Sequence, residues 1–150
     1  MVRNWNSRVK VGDTVVTVGD WCCHGAERGI PGSKTKSQSW EALLNGKVIH
    51  VLGNHDRNNG TKAGFDLATV CLAGHACVVR HRPIKDGDDA CRMPEGYNIM
   101  IHGHVHTAWR IKWIEGFLHI NVGVDVNKYA PVRQDELIRI IERELKKGPP

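Results

Sequence analysis

Lys47-Val48-Ile49-His50-Val51-Leu52-Gly53-Asn54-His55-Asp56 is the stretch on which the reading of this chain turns. Val48, Ile49, Val51 and Leu52 make an apolar, partly β-branched run that predicts a strand, and Gly53 ends it. Side chains that offer oxygen and nitrogen donors follow at once. The same pattern stands upstream, where Thr14-Val-Val-Thr-Val18 predicts a buried strand closed by Gly19-Asp20. It stands again downstream, where Asn98-Ile-Met-Ile101 leads into His102-Gly-His-Val-His106. In open α/β sheets the loops beyond the carboxyl ends of the strands build the active site. The three loops, though distant in sequence, are therefore expected to converge.

Other segments supply the frame. Asn4 to Val9 reads as the tail of a helix, with Trp5 and Val9 on one face. Trp21 to Lys36 contains Gly25, Gly29, Pro31 and Gly32 and predicts a long loop. Ser37 or Ser39 can cap a short helix through Leu44, ended by Asn45-Gly46. Leu67–Leu72 and Ala76–Val79 predict a hairpin around Gly74-His75, and Lys85 to Glu95 is polar and turn-rich. Trp109–Trp113 and Phe117–Val124 pair around Glu115-Gly116. Asp135–Lys147 predicts a helix with Leu137, Ile138, Ile141 and Leu145 on one face. Acidic residues near its start and lysines near its end suit the helix dipole. Without repeats or interior linkers, residues 1–150 read as a single α/β domain.

Composition bounds the function. The chain has 150 residues, about one domain's worth, with ordinary globular composition. No apolar run approaches the ~18 residues of a membrane span, and no apolar leader follows Met1. The expectation is a cytoplasmic protein with no membrane partner. Five cysteines without C-x-x-C spacing predict reduced thiols rather than a disulfide framework or zinc finger. A net charge of +5 favours an anionic partner, such as a phosphate ester or nucleic acid.

The strand-ending loops offer a carboxylate, an amide oxygen and several imidazoles, with no thiolate. That donor set suits Mn, Fe, Zn, Ni or Co better than a structural zinc cage. Gly19-Asp20, Gly53-Asn54-His55-Asp56, a His before Pro (His81) and Gly103-His104-Val105-His106, in this order, resemble the calcineurin-like metallophosphoesterases. Trp5-Asn6, Val11-Gly-Asp-Thr-Val15, Ile120-Asn-Val-Gly-Val-Asp125 and Tyr129-Ala-Pro-Val132 resemble its small bacterial and phage members. The resemblance spans nearly the whole chain.

It implies a β-sandwich flanked by helices in αββα layers, with metal at its edge. It implies Asp20 as the bridging ligand, and Asn54, His81 and His104 as the ligands completing one metal. His106 faces a second metal, His55 acts as leaving-group acid, and Asp56 orients His55. The cofactor implied is one or two divalent ions, manganese foremost, with Zn, Fe, Ni and Co as alternatives. The reaction implied is hydrolysis of phosphomonoesters or phosphodiesters, nucleotides or nucleic acid among them. Two cations polarise the phosphoryl oxygens and lower the pKa of a bound water, and an imidazole protonates the departing alkoxide.

Several residues have plainer readings. Asp20 alone could be a turn residue, Asn54 a left-handed turn position and His81 part of a basic loop between Arg80 and Arg82. His102 is expected to be a satisfied structural neighbour, and His24, His50, His75 and His119 ordinary polar or half-buried histidines. Cys22-Cys23 read as small hydrophobes, and Asp86, Asp88 and Asp89 as a solvated loop lacking the calcium-loop pattern. Arg80, Arg82 and Arg110 are surface charge, or a hold on phosphate if near the site.

One departure stands out. The family opens with a strand ending in Asp-x-His, which supplies the remaining ligands of the second metal, and none precedes Gly19-Asp20 here. The open explanations are a segment upstream of Met1, a chain that binds one metal, or a catalytically silent relative. Without that strand, Thr14–Val18 would expose a pairing edge and favour self-association into a homo-oligomer. The competing functional class is a silent metal-binding module that binds nucleic acid or another polyanion. Its one supporting stretch is Trp109-Arg-Ile-Lys-Trp113, which a two-sided strand explains equally well.

Overall fold

Each apolar run that leads into a candidate ligand loop is a strand. The computed structural model describes residues 1–21, 40–59, 61, 63–84 and 92–150. Within them lie β1 (Thr14–Val18), β2 (Lys47–Val51), β3 (Leu67–Leu72), β4 (His75–Arg80), β5 (Ile99–His102), β6 (Ile111–Ile114) and β7 (Phe117–Asn121). The helices are α1 (Val2–Asn6) and α2 (Gln134–Lys147), with short 3-10 turns at Arg57–Asn59 and Val124–Val126. β1 and β2 form a parallel pair, and the second sheet runs β3-β4-β5-β7-β6. Its centre, β4-β5-β7, is parallel, and its outer pairs are antiparallel.

Strand register sorts the second sheet into two faces. Val79, Ile101 and Ile120 stand side by side, and so do Val78, Met100 and His119 on the other face. The first row joins Val51 of β2 and Ile140 and Ile141 of α2 in the main core, which therefore lies between the sheets and the helix. Leu137, Ile138 and Leu145 pack against the same cluster, as the helical periodicity predicts. Ile141 is fully buried there. Its truncation to Ala would cost about 2–5 kcal/mol.

Boundaries shift where local geometry overrides pattern. The first helix is Val2–Asn6, earlier than Asn4–Val9, because the Ser7 hydroxyl donates to Asn4 O and the chain turns away. Trp5 Nε1 donates to Asn45 O, and Asn6 and Asn45 pair, so α1 is tied to the turn before β2. The β3–β4 turn is Ala73-Gly74, one residue before the predicted Gly74-His75. Both turn residues have positive φ (50° and 85°), which a two-residue primed turn demands. Glu115-Gly116 makes the other such turn, as predicted. β5 runs Ile99–His102, β6 Ile111–Ile114 and β7 only to Asn121. The predicted loop beyond Trp21 (22–36) and the start of the short helix (37–39) lie outside the described residues; of the rest, 40–41 are helical and 42–43 form a turn.

Candidate metal centre

Four loops meet at the carboxyl ends of β1, β2, β4 and β5. The first turns on Gly19 and Asp20, whose φ angles are 89° and 55°. A left-handed φ is uncommon outside glycine, yet Asp20, His104 and His106 all have one. Such backbone strain persists only where surrounding structure holds it, and here it coincides with the predicted ligand loops. The first two loops pass with almost no clearance. A side chain on Gly19 would meet the His81 ring and the backbone of Gly53, and one on Gly53 would meet the Asp20 carboxylate.

His81 organises the centre. Its Nδ1 lies 2.8 Å from the carbonyl oxygen of Val18, which can only accept, so Nδ1 carries the proton. Nε2 is thereby turned inward. It faces Asn54 Oδ1 at 3.1 Å, Asp20 Oδ2 at 3.2 Å and His104 Nδ1 at 3.1 Å. Lone pairs crowded this way repel unless positive charge lies among them. Ligand atoms of Asp20, His81 and His104 all fall within 4.8 Å of one another. One carboxylate, two imidazoles and an amide oxygen within reach fit a divalent transition metal.

Asp20 is held from two sides. Its Oδ1 accepts the His55 backbone N–H at 3.0 Å, leaving Oδ2 toward His81. Its own N–H donates to Asp56 Oδ2 at 2.7 Å, and the N–H of Gly53 donates to the same oxygen at 2.8 Å. Asp56 is fully buried, and these bonds make it the tie between the β1 and β2 loops. The His55 side chain is exposed beside this tie.

His106 stands outside the three-residue group. Its side chain is 80% exposed, and Nδ1 lies 2.9 Å from Asp125 Oδ2. Asp125 is an acidic neighbour that the pattern of strands and glycines does not single out. Asn121 is another such residue: it is buried at the end of β7, and its Nδ2 donates to His106 O and Trp109 O. Its Oδ1 accepts from Gly123 N–H, so one amide braces the loop that carries His104. An Asn among the apolar residues of an expected strand was the available signal.

The expectation of a satisfied His102 is corrected. Nδ1 reaches Gly103 O at 2.8 Å, but Nε2 is buried with no partner, and the ring packs edge-on to Trp109. His119 is likewise fully buried rather than half-buried, with neither ring nitrogen partnered. Burial pushes each pKa from 6.5 down to about 4, helped at His119 by Lys112. His50 behaves as expected, between Thr17 Oγ1 and Glu41 Oε1, and His75 is half-buried. Arg82 and Arg110 are exposed and Arg80 is half-buried. His24, Cys22-Cys23 and Asp86, Asp88 and Asp89 lie outside the described residues.

Known proteins share this arrangement of sequence and fold. The chain is 27% identical to an uncharacterised protein of Methanocaldococcus jannaschii over 148 residues, covering 95% of this chain and 74% of that one. A crystal structure of a protein of unknown function from Aquifex aeolicus superposes with a TM-score of 0.64 at 26% identity. That match covers 93% of this chain and 82% of the other. The family model for the calcineurin-like phosphoesterase superfamily domain matches residues 1–135. With strand order, the grouping of Asp20, His81 and His104, and the family match in agreement, the chain belongs to the calcineurin-like phosphoesterase superfamily.

Proposed function

We propose that this chain hydrolyses phosphomonoesters or phosphodiesters with a divalent ion, manganese foremost, held by Asp20, Asn54, His81 and His104. In this reading His106 faces an adjoining metal position and His55 is the leaving-group acid. The observation that carries the proposal is the inward-facing Nε2 of His81, with three further ligand-type atoms at 3.1–3.2 Å. A bound divalent ion supplies Lewis-acid polarisation of the phosphoryl group and hydroxide near neutral pH.

The chain's own residues do the rest. Val18 O fixes the His81 tautomer, and the His55 N–H fixes one oxygen of Asp20. The exposed His55 imidazole follows Asn54 directly and delivers a proton to the leaving alkoxide. Phosphoryl transfer mostly needs positioning and charge stabilisation, which such a preset site provides. A net charge of +5 favours encounter with anionic esters. Cys71 and Cys77 are free thiols, in keeping with a cytoplasmic setting. No helix among the described residues is long and apolar enough to cross a membrane.

The test is hydrolysis of a chromogenic aryl phosphodiester and monoester with Mn²⁺, after chelation, and with His104→Ala. Manganese-dependent turnover that His104→Ala abolishes is the expected result. No turnover with Mn²⁺, or on replacing it with Zn, Fe, Ni or Co ions, together with salt-sensitive oligonucleotide binding, would support the silent module instead. The structure lends that module no specific observation. Trp109 lies edge-on against His102 and Trp113 packs on the main core, as in a two-sided strand.

A further inference from the structure

A pocket of about 280 Å³ adjoins His104, on the opposite face of the sheet from the main core. Pro83, Ile84, Val105 and Ile114 give it apolar walls. Trp109 adds an aromatic surface, and Lys112 adds a cation that makes no ion pair among the described residues. The wall is built rather than incidental. The Trp109 ring is set by its contact with His102 at 4.7 Å, and its carbonyl is held by Asn121 Nδ2 at 2.8 Å. Lys112 stands opposite His119 in the β6–β7 register.

Building on the phosphoesterase reading, we propose that this pocket receives one ester group of the substrate and selects an aromatic ring bearing an anionic substituent. His104 belongs to both the metal-ligand group and the pocket wall, so a phosphate bound at the former carries an ester group into the latter. Small-molecule sites run from about 300 Å³ upward, so the space suits one ring system rather than a polymer. Apolar walls reward a flat hydrocarbon face and offer little to a sugar hydroxyl, while Lys112 rewards a negative charge.

Binding of non-hydrolysable phosphonates tests this without requiring turnover. Methylphosphonate, phenylphosphonate and 4-carboxyphenylphosphonate are titrated calorimetrically into the Mn²⁺-loaded protein. Phenylphosphonate is expected to bind about tenfold tighter than methylphosphonate, from the apolar area it buries. The carboxylate should add a further gain of about threefold or more, lost in Lys112→Met while the phenyl preference survives. Equal affinity for the three, or a carboxylate gain that persists in Lys112→Met, overturns the pocket assignment whether or not esters are hydrolysed. The expected ranking in a protein that hydrolyses no ester would leave the pocket standing and overturn the phosphoesterase reading alone.

Discussion

Asp56 accepts the backbone N–H of Asp20 at 2.7 Å, across 36 residues of chain, from a position with no solvent exposure. The same oxygen takes the N–H of Gly53. One carboxylate thereby joins the loop that presents Asp20 to the loop that presents Asn54. Asp56→Leu would leave two part-buried donors without their acceptor, at up to about 1–3 kcal/mol each. Asp56→Asn retains an acceptor and should recover much of that loss. The expected order of thermal midpoints is wild type, Asn, then Leu, and manganese retention should follow it although Asp56 is not itself a proposed ligand.

Metal retention should centre on His104. His104→Ala removes one member of the Asp20, His81 and His104 group, whereas His75→Ala alters a half-buried residue at the opposite end of β4 from His81. Elemental analysis is expected to show about one metal per chain in the wild type, a sharp fall in the first variant and none in the second. Equal metal content in the two variants would remove the ligand assignment.

His55 should matter to turnover rather than to metal content. His55→Ala is expected to lower the rate on an alkyl leaving group by about 10²–10⁴-fold, and by much less on a nitrophenyl ester. The His55 backbone N–H to Asp20 survives this substitution, so the metal load should not change.

Two buried neutral histidines make the fold acid-sensitive. His102 and His119 fall from 6.5 to about 4 in the folded protein, chiefly through burial. Between those values the unfolded chain binds more protons, so stability falls as pH drops from about 6.5 toward 4. Each residue contributes a slope of up to about 1.4 kcal/mol per pH unit. His119→Phe should flatten the slope in urea melts taken across that range. An unchanged slope would show that His119 is already protonated in the native state.

β1 pairs only with β2 among the described residues, and Val16 is 41% exposed. An apolar strand with one open edge invites another. Light scattering of the 150-residue chain is expected to show self-association that Val16→Lys reduces. A strictly monomeric wild type would mean that another part of the chain covers this edge.

Strands, and the loops that bring Asp20, His81 and His104 together, could be read from sequence because both obey short-range rules. Thr14–Val18 and Lys47–Val51 are apolar runs stopped by glycine, and Asp20, Asn54, His81 and His104 each follow a strand closely. What could not be read depends on contacts between distant segments. No local pattern foretells that one Asp56 oxygen joins the β1 loop to the β2 loop. His119 looks like an alternating polar residue of a strand until Trp109 and His102 enclose it. Asp125 gains meaning only when the loop after β5 brings His106 to it. The hairpin at Ala73-Gly74 is missed by one position because alanine gives no hint of a positive φ.

The missing side chains at Gly19 and Gly53 bind the fates of two loops together. Each glycine is the clearance the other loop needs: Gly19 for Gly53 and the His81 ring, Gly53 for the carboxylate of Asp20. A mutational scan would find both positions closed even to alanine, and no single compensating change could reopen either, because the obstructing atoms are themselves backbone or proposed ligands. If the proposed pocket selects the ester group, variation in what is accepted falls outside that contact, on the walls around Ile84, Trp109 and Lys112.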